Sequence, residues 1–347
     1  MKVRAGVWGV GAWGEKHARV YHDLYGRGVD VELVGVFDER ADRAAAVALA
    51  HGVRAFETPD ALLAGCDAIS VAVPTIAHRA ATERALSAGC HVLVEKPMAV
   101  TVVEADSMIA TAERAGRLLQ VGQVERFNPA LLAARPHVRE AKFIEGHRLA
   151  LFQPRSLDID VVSDLMIHDI DAVLQFVGSA PEHVSAVGVA VLSPNEDIAN
   201  ARLEWANGCV ANLTASRVSQ ERLRRIRFFT SETYVSVDLF EKTGELVRVD
   251  LETVRRLIGM ARAAGIGGSG DASGVPAGPI ASLPGITRSS LDVAPGEPLR
   301  LELEAFVRSI RGGGEGAASA WAGREALRVA EAVRDSMKRR AVQWSTT

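Results

Sequence analysis

The chain has 347 residues, and at about 100–200 residues per domain this predicts two domains, each able to bury a core without disulfide or metal staples. Forty Lys and Arg against 43 Asp and Glu leave a net charge of −3, which excludes a nucleic-acid binder working by bulk positive charge. A content of 48% hydrophobic and 24% charged residues excludes disorder across the whole chain. Cys66, Cys90 and Cys209 lie far apart without a CxxC pair, so a disulfide scaffold and a Cys-rich zinc site are not expected, and the thiols read as small core residues. No run approaches the ~18 apolar residues of a membrane span. The N-terminal apolar run is broken by Gly9, Gly11 and Gly14, unlike a signal peptide. A cytoplasmic protein is expected.

The first third alternates short apolar runs with helical patterns. Val3–Trp8, Val31–Phe37, Asp67–Val73, His91–Val94 and Leu118–Val121 read as strands. Helices are expected from Ala12 to about Leu24, then over Asp42–Ala50, Ala77–Ala88 and Ala105–Ala115. Continuous Val/Ile/Leu runs imply strands covered on both faces, hence a parallel, doubly wound Rossmann sheet over residues 1–122. After Gln123 a helix from Asp164 to about Phe176 precedes the period-2 runs Glu182–Leu192, Ala201–Trp205, Val210–Ser216, Arg225–Thr230 and Tyr234–Leu239. Asn207-Gly208 is a strong hairpin turn. Residues 123–347 are therefore expected to form an α+β domain with a mostly antiparallel, open-faced sheet. Val235, Val237 and Leu239 would lie on its open face, and Arg222–Arg227 on a solvated edge. Gly265–Gly285 reads as a flexible insertion, and amphipathic helix resumes at Leu299–Ile310 and Arg324–Lys338.

Three constellations carry chemistry. Gly9-x-Gly11-x-x-Gly14 follows a strand and opens a helix: the first glycine permits the turn, the second the approach of a pyrophosphate, the third close helix packing. Gly9, Gly11, Ala12, Trp13 and Gly14 thus bracket a phosphate site at a helix N-terminus. Asp38 ends the second strand, where a carboxylate accepts from ribose hydroxyls and repels a 2′-phosphate. NAD is the expected cofactor, with Arg40 and Arg43 near enough to leave NADP use open. Glu95-Lys96-Pro97 ends another buried strand, on the side where doubly wound sheets bind ligands. There Lys96 could meet a substrate hydroxyl, with Glu95 orienting it. Asp164, His168 and Asp171 recur at i, i+4 and i+7, one stripe of a helix, with Ser163 as its cap. The stripe suits proton relay, and a metal is not expected because no second His/Asp cluster accompanies it.

In their order and spacing, these sets and Val73-Pro74-Thr75-x-x-His78 resemble the glucose–fructose oxidoreductase/inositol dehydrogenase superfamily along nearly the whole chain. The resemblance implies that Lys96 and His168 are the catalytic pair and that Asp164 binds or orients substrate. It also implies that Pro74, Thr75, His78, Glu95, Lys96 and Gln123 lie along the cofactor. Met166 stands where the family often has glycine. The segments Glu125–Pro129, Asp164–Asp171 and Asn207–Asn212 resemble the branch that oxidises nucleotide sugars, in particular UDP-N-acetylglucosamine 3-dehydrogenases, whose 3-keto product feeds 3-amino-sugar synthesis. Asn128 is then a substrate contact, and Arg148, Arg155 and Arg217 are candidate donors to the diphosphate. A dehydrogenase of another sugar or cyclitol, a non-catalytic NAD-binding regulator, and an NAD-dependent glycoside hydrolase are the alternatives within the same fold. The resemblance also implies a homodimer or homotetramer built through the open sheet faces.

Overall fold

The computed structural model describes residues 2–153, 159–263, 284–312 and 318–345. Six parallel strands form the first sheet: β1 (Val3–Trp8), β2 (Val31–Phe37), β3 (Arg54–Ala55), β4 (Ala68–Val71), β5 (His91–Glu95) and β6 (Leu119–Gly122). Their order is β3-β2-β1-β4-β5-β6. The chain reverses direction across the sheet between β1 and β4, and a ligand crevice opens beyond the carboxyl ends of strands at such a point. Helices α1 (Ala12–Gly26), α2 (Ala41–His51), α3 (Pro59–Leu63), α4 (Thr75–Ser87) and α5 (Val102–Ala115) complete the doubly wound layers. Every residue of β4 is buried, so its run is apolar but for Ser70. β3 and α3 have two and five residues, too short to leave a periodic signal.

The second sheet has eight strands: β7 (Phe143–Leu149), β8 (His183–Val189), β9 (Ile198–Glu204), β10 (Val210–Ser216), β11 (Leu223–Phe229), β12 (Thr233–Asp238), β13 (Thr243–Val249) and β14 (Ile286–Ser290), ordered β14-β13-β12-β11-β7-β10-β9-β8. All neighbours are antiparallel except β7 and β10. The Asn207-Gly208 turn joins β9 to β10, with Gly208 at φ +79° and the Asn207 Oδ1 accepting from the Cys209 N–H at 3.0 Å. The remaining helices are α6 (Pro129–Ala134), α7 (Ile167–Val177), α8 (Leu251–Ala263), α9 (Pro298–Ile310) and α10 (Ala320–Ser345).

Two expectations for this sheet are corrected. Arg222–Arg227 does not form an edge, because β11 pairs with β12 on one side and β7 on the other. Val235, Val237 and Leu239 are buried and share a core with Ile226, Phe228 and α7. The open face instead carries Phe143, Phe229 and Tyr234, stacked in register across three strands, and the Arg227–Glu145 pair. Both patterns alternate with period 2, and alternation alone does not say which phase faces the core. Of the glycine-rich insertion, residues 265–283 lie outside the described residues.

The first sheet ends at Gly122 and the second begins at Phe143, but the chain recrosses. On α9, Leu303 and Phe306 pack in one core with Tyr21 and Leu24 of α1. α10 begins against β6, where a Cβ on Gly323 would come within 2.4 Å of the Val121 side chain. It then buries Val329 and Val333 under the second sheet.

Ion pairs tie the halves together where β6 gives way to the second domain. Arg148 of β7 donates through Nε and Nη2 to Asp169 of α7 at 2.8–3.1 Å, and through Nη1 to Glu125 at 3.0 Å. Arg126 grips Asp171 of α7 with two bonds of 2.6 and 2.7 Å. The Asn128 amide donates to Glu125 and to the Leu239 carbonyl, both at 2.9 Å, and its oxygen caps α6. All these side chains are nearly sealed from water. Removing one partner of such a group leaves buried charge uncompensated. Arg148→Met is expected to cost about 3–5 kcal/mol, read as a lower urea midpoint against wild type.

Candidate active site

The glycine turn is built by contact. Gly9 has φ +88°, and a Cβ there would lie 2.8 Å from the Val73 backbone. A Cβ on Gly14 would lie 1.8 Å from the Gly9 carbonyl oxygen, so α1 approaches the strand end only because position 14 has no side chain. Gly11 is the N-cap of α1, in extended conformation, and no side chain caps the helix. The first-turn N–H groups at Ala12 and Trp13 are therefore open to an anion. Trp13 is 38% exposed, with the Lys16 ammonium 4.4 Å from its ring centre.

Asp38 ends β2 as expected. Its Oδ2 accepts from the Val10 N–H at 2.8 Å and its Oδ1 from the Arg40 N–H at 2.9 Å, tying the strand end to the glycine turn. Arg43 stands 3.7 Å from the same carboxylate. Exposed Pro74 and half-buried Thr75 open α4 beyond β4. Gln123, just past β6, is buried with both amide atoms lacking a hydrogen-bond partner. An unspent buried amide at the carboxyl end of a parallel sheet fits a polar ligand laid across it. Together, these residues fit a dinucleotide.

Lys96 and His168 come from opposite domains, near enough for the Lys96 charge to act on the imidazole. The Lys96 ammonium leaves the end of β5 and donates to the Asp164 carbonyl at 2.6 Å, with the Asp164 carboxylate 3.6 Å away. Burial pulls Lys96 below the ordinary lysine value, against the opposing charges of Asp164 and Glu95. His168 is buried, and its Nδ1 has no hydrogen-bond partner. Burial first, then the cations Lys96, Arg148 and Arg224, push its pKa well below that of a free histidine, so at neutral pH the ring is uncharged and able to accept a proton.

The expected stripe does not survive. Residues Val162–Met166 form a π turn ahead of α7, which shifts the helical register between Asp164 and Asp171. Asp171 goes to Arg126 while Asp164 stays beside Lys96. Asp160, not Ser163, caps this segment: its Oδ1 accepts from the Val162 and Ser163 N–H groups, both at 2.9 Å.

Other expected contacts are placed elsewhere. Arg148 is 2% exposed and committed to two carboxylates, and Asn128 is 2% exposed and committed to Glu125, Leu239 and its own helix, so both hold the frame rather than meet a ligand. Arg217 is likewise buried, bonded to Asp197, Ser193 and the Ile159 carbonyl. His78 is buried between the Pro97 and Val73 carbonyls at 2.9 Å each, bracing the two loops that flank the crevice. Arg155 lies outside the described residues.

Two residues were not foreseen. His17 bonds to Glu95 at 2.8 Å inside the first domain. Arg224 of β11 sits opposite Arg148 in register, 3.9 Å from Glu125. Its side chain is 39% exposed, with no hydrogen bond to any described residue. Only the three-dimensional register pairs Arg224 with Arg148, so the basic run alone could not single it out. His17 lies three residues past the glycine fingerprint, a helical position whose partner is 78 residues away.

No described helix is long and apolar enough to cross a membrane. Among the described residues no group of His, Cys, Asp or Glu is placed to hold a metal ion. Residues 3–123 match the oxidoreductase family with an NAD-binding Rossmann fold, and residues 142–236 match the GFO/IDH/MocA C-terminal domain. The chain is 39% identical over 313 residues to the UDP-N-acetylglucosamine 3-dehydrogenase of Acidithiobacillus ferrooxidans, covering 89% of this chain and 88% of that protein. A solved structure of that enzyme aligns with a TM-score of 0.83 at 37% identity, over 97% of this chain and 98% of the other. The D-apiose dehydrogenase of Paraburkholderia graminis is 27% identical over 254 residues, 69% of this chain and 66% of that protein. An NAD-binding domain facing a mixed, largely antiparallel sheet defines an oxidoreductase. The chain belongs to the GFO/IDH/MocA family.

Gly14→Ala is expected to abolish dinucleotide binding, because the added methyl overlaps the Gly9 carbonyl. Quenching of NADH fluorescence on titration with protein reads this directly, and wild-type-like quenching would contradict the packing argument.

Proposed function

We propose that the protein is an NAD-dependent nucleotide-sugar dehydrogenase that oxidises the C3 hydroxyl of UDP-N-acetylglucosamine to the 3-keto sugar. That ketone is a substrate for transamination to a 3-amino sugar. The observation that carries the reaction class is the meeting of Lys96, Asp164 and the uncharged His168 at the carboxyl end of β5. The choice of sugar is supported by the relative that is 39% identical over 89% of the chain.

NAD, when bound, supplies the hydride acceptor. Gly9, Gly11, Ala12, Trp13 and Gly14 would hold its pyrophosphate, Asp38 its ribose, and Pro74, Thr75 and Gln123 the remainder. The Asp38 carboxylate supports NAD over NADP, since a 2′-phosphate would face it. In the chemical step the His168 imidazole takes the proton of the sugar hydroxyl. The Lys96 ammonium donates a hydrogen bond to the same oxygen and stabilises its developing negative charge. Asp164 orients both the ammonium and the sugar.

A UDP-sugar brings a diphosphate. Of the arginines in the second domain, Arg224 is half-exposed, hydrogen-bonded to no described residue and 3.9 Å from Glu125, and with Arg155 it is the proposed donor.

Purified protein with NAD and UDP-N-acetylglucosamine is expected to produce NADH, seen by its absorbance, and no turnover would rule out this substrate. Lys96→Met and His168→Ala should each lower kcat by about 10²–10⁴-fold while still quenching NADH fluorescence. An unchanged rate in either removes that residue from the mechanism. Arg224→Ala is expected to raise KM for the UDP-sugar about tenfold, the size of one charge-assisted hydrogen bond. We also propose a homodimer or homotetramer assembled through the open sheet face bearing Phe143, Phe229 and Tyr234. A monomer mass by light scattering at micromolar protein would contradict it.

A further inference from the structure

Buried side chains run from the first helix to the catalytic lysine, and the reaction scheme leaves them without a role. The Tyr21 hydroxyl lies 3.0 Å from the Ser70 hydroxyl, which lies 3.1 Å from His17 Nδ1. His17 Nε2 lies 2.8 Å from Glu95 Oε1, and Glu95 Oε2 accepts from the Lys96 backbone N–H at 3.2 Å. His17, Ser70 and Tyr21 are completely sealed from solvent, and Glu95 nearly so.

The chemistry gives this chain a direction. An ionised Glu95 only accepts, so His17 Nε2 carries a proton toward it. Ser70 Oγ bridges the other ring nitrogen, Nδ1, and the Tyr21 hydroxyl. The surroundings are shaped for the carboxylate. Gly122 on the next strand leaves the space, since a Cβ there would lie 3.0 Å from both Cδ and Oε1 of Glu95. Burial alone would raise Glu95, but His17, through its hydrogen bond and its charge, and then the Lys96 charge hold it below the usual glutamate value. The nearby Glu302 of α9 is buried with neither oxygen bonded, and burial raises it well above the ordinary range. Its neutral form, which burial favours, does not oppose the ionised Glu95.

We propose that His17 is a positioning residue of the catalytic centre: it holds Glu95 ionised and aimed beside Lys96. The inference rests on Lys96 being the catalytic amine. Glu95 faces His17, Lys96 and Glu302, and Lys96 faces Glu95, Asp164, Arg148 and His168. Without the His17 donor, a carboxylate buried here takes up a proton. Lys96 then loses one of its two neighbouring negative charges, and its ammonium gives up its proton at lower pH.

The chain has six lysines, so the test needs no substrate. Protein labelled with [ε-¹³C]lysine is titrated by NMR, the Lys96 signal being the one lost in Lys96→Met. In His17→Met the Lys96 midpoint is expected to fall by about one pH unit. Ser70→Ala, which keeps the imidazole but removes the hydroxyl behind it, should move it less in the same direction and serves if His17→Met does not fold. Glu95→Gln should reproduce the His17→Met shift, and the double variant should add nothing to it. A wild-type midpoint in both His17→Met and Ser70→Ala overturns the proposal. A shifted midpoint in a protein without dehydrogenase activity refutes the functional reading instead.

Discussion

One guanidinium holds the two halves in register. Arg148 sits on a strand of the second sheet, takes one carboxylate from the helix that carries His168 and another from the segment leaving the first sheet. The two carboxylates outweigh burial and hold it charged. Burying three ionised groups is costly, and only mutual pairing with good geometry offsets it. The cluster forms only when β7, α7 and residues 124–127 are all in place, so the domain arrangement that brings His168 to Lys96 is coupled to satisfying it. The Arg126–Asp171 pair adds a second fixed point on the same helix, and two fixed points remove rotation about its axis.

The same charges tune the chemistry. His168 lies among Lys96, Arg148 and Arg224, and together with burial they keep its ring neutral. A base surrounded by cations is weak when free, yet those cations also favour an alkoxide at the same place. A frame made from Met, Leu and Tyr could pack as well, but it would not supply that field.

Much of this was legible from residues alone. The parallel sheet was readable because strands covered on both faces are mostly apolar, and Gly9 and Gly14 because each is demanded by a close backbone approach. Lys96 and His168 were reached through resemblance to a family. Spacing alone pointed to a stripe with Asp171 that a π turn dissolves. A one-residue expansion of a helix leaves no mark in periodicity, since Val162–Met166 contains nothing that an ordinary helix would refuse. The open face of the second sheet was assigned to the wrong phase for a related reason: Val235 and Tyr234 are both good strand residues, and tertiary packing decides between them.

Arginines were the least legible residues. Arg148, Arg217 and Arg224 look alike in sequence, each on or beside a strand. The structure separates them by what surrounds their donors. Arg148 and Arg217 are sealed and paired, and their roles are structural. Arg224 is displaced from the same carboxylates by Arg148, which reaches Glu125 at 3.0 Å where Arg224 stands at 3.9 Å. Burial and the repulsion of Arg148 lower its pKa. A cation held half-exposed beside another cation gains most from an added anion, because the anion relieves that repulsion and pairs with the guanidinium at once. The frame that fixes α7 therefore also leaves Arg224 with a weaker hold on Glu125 than Arg148 has.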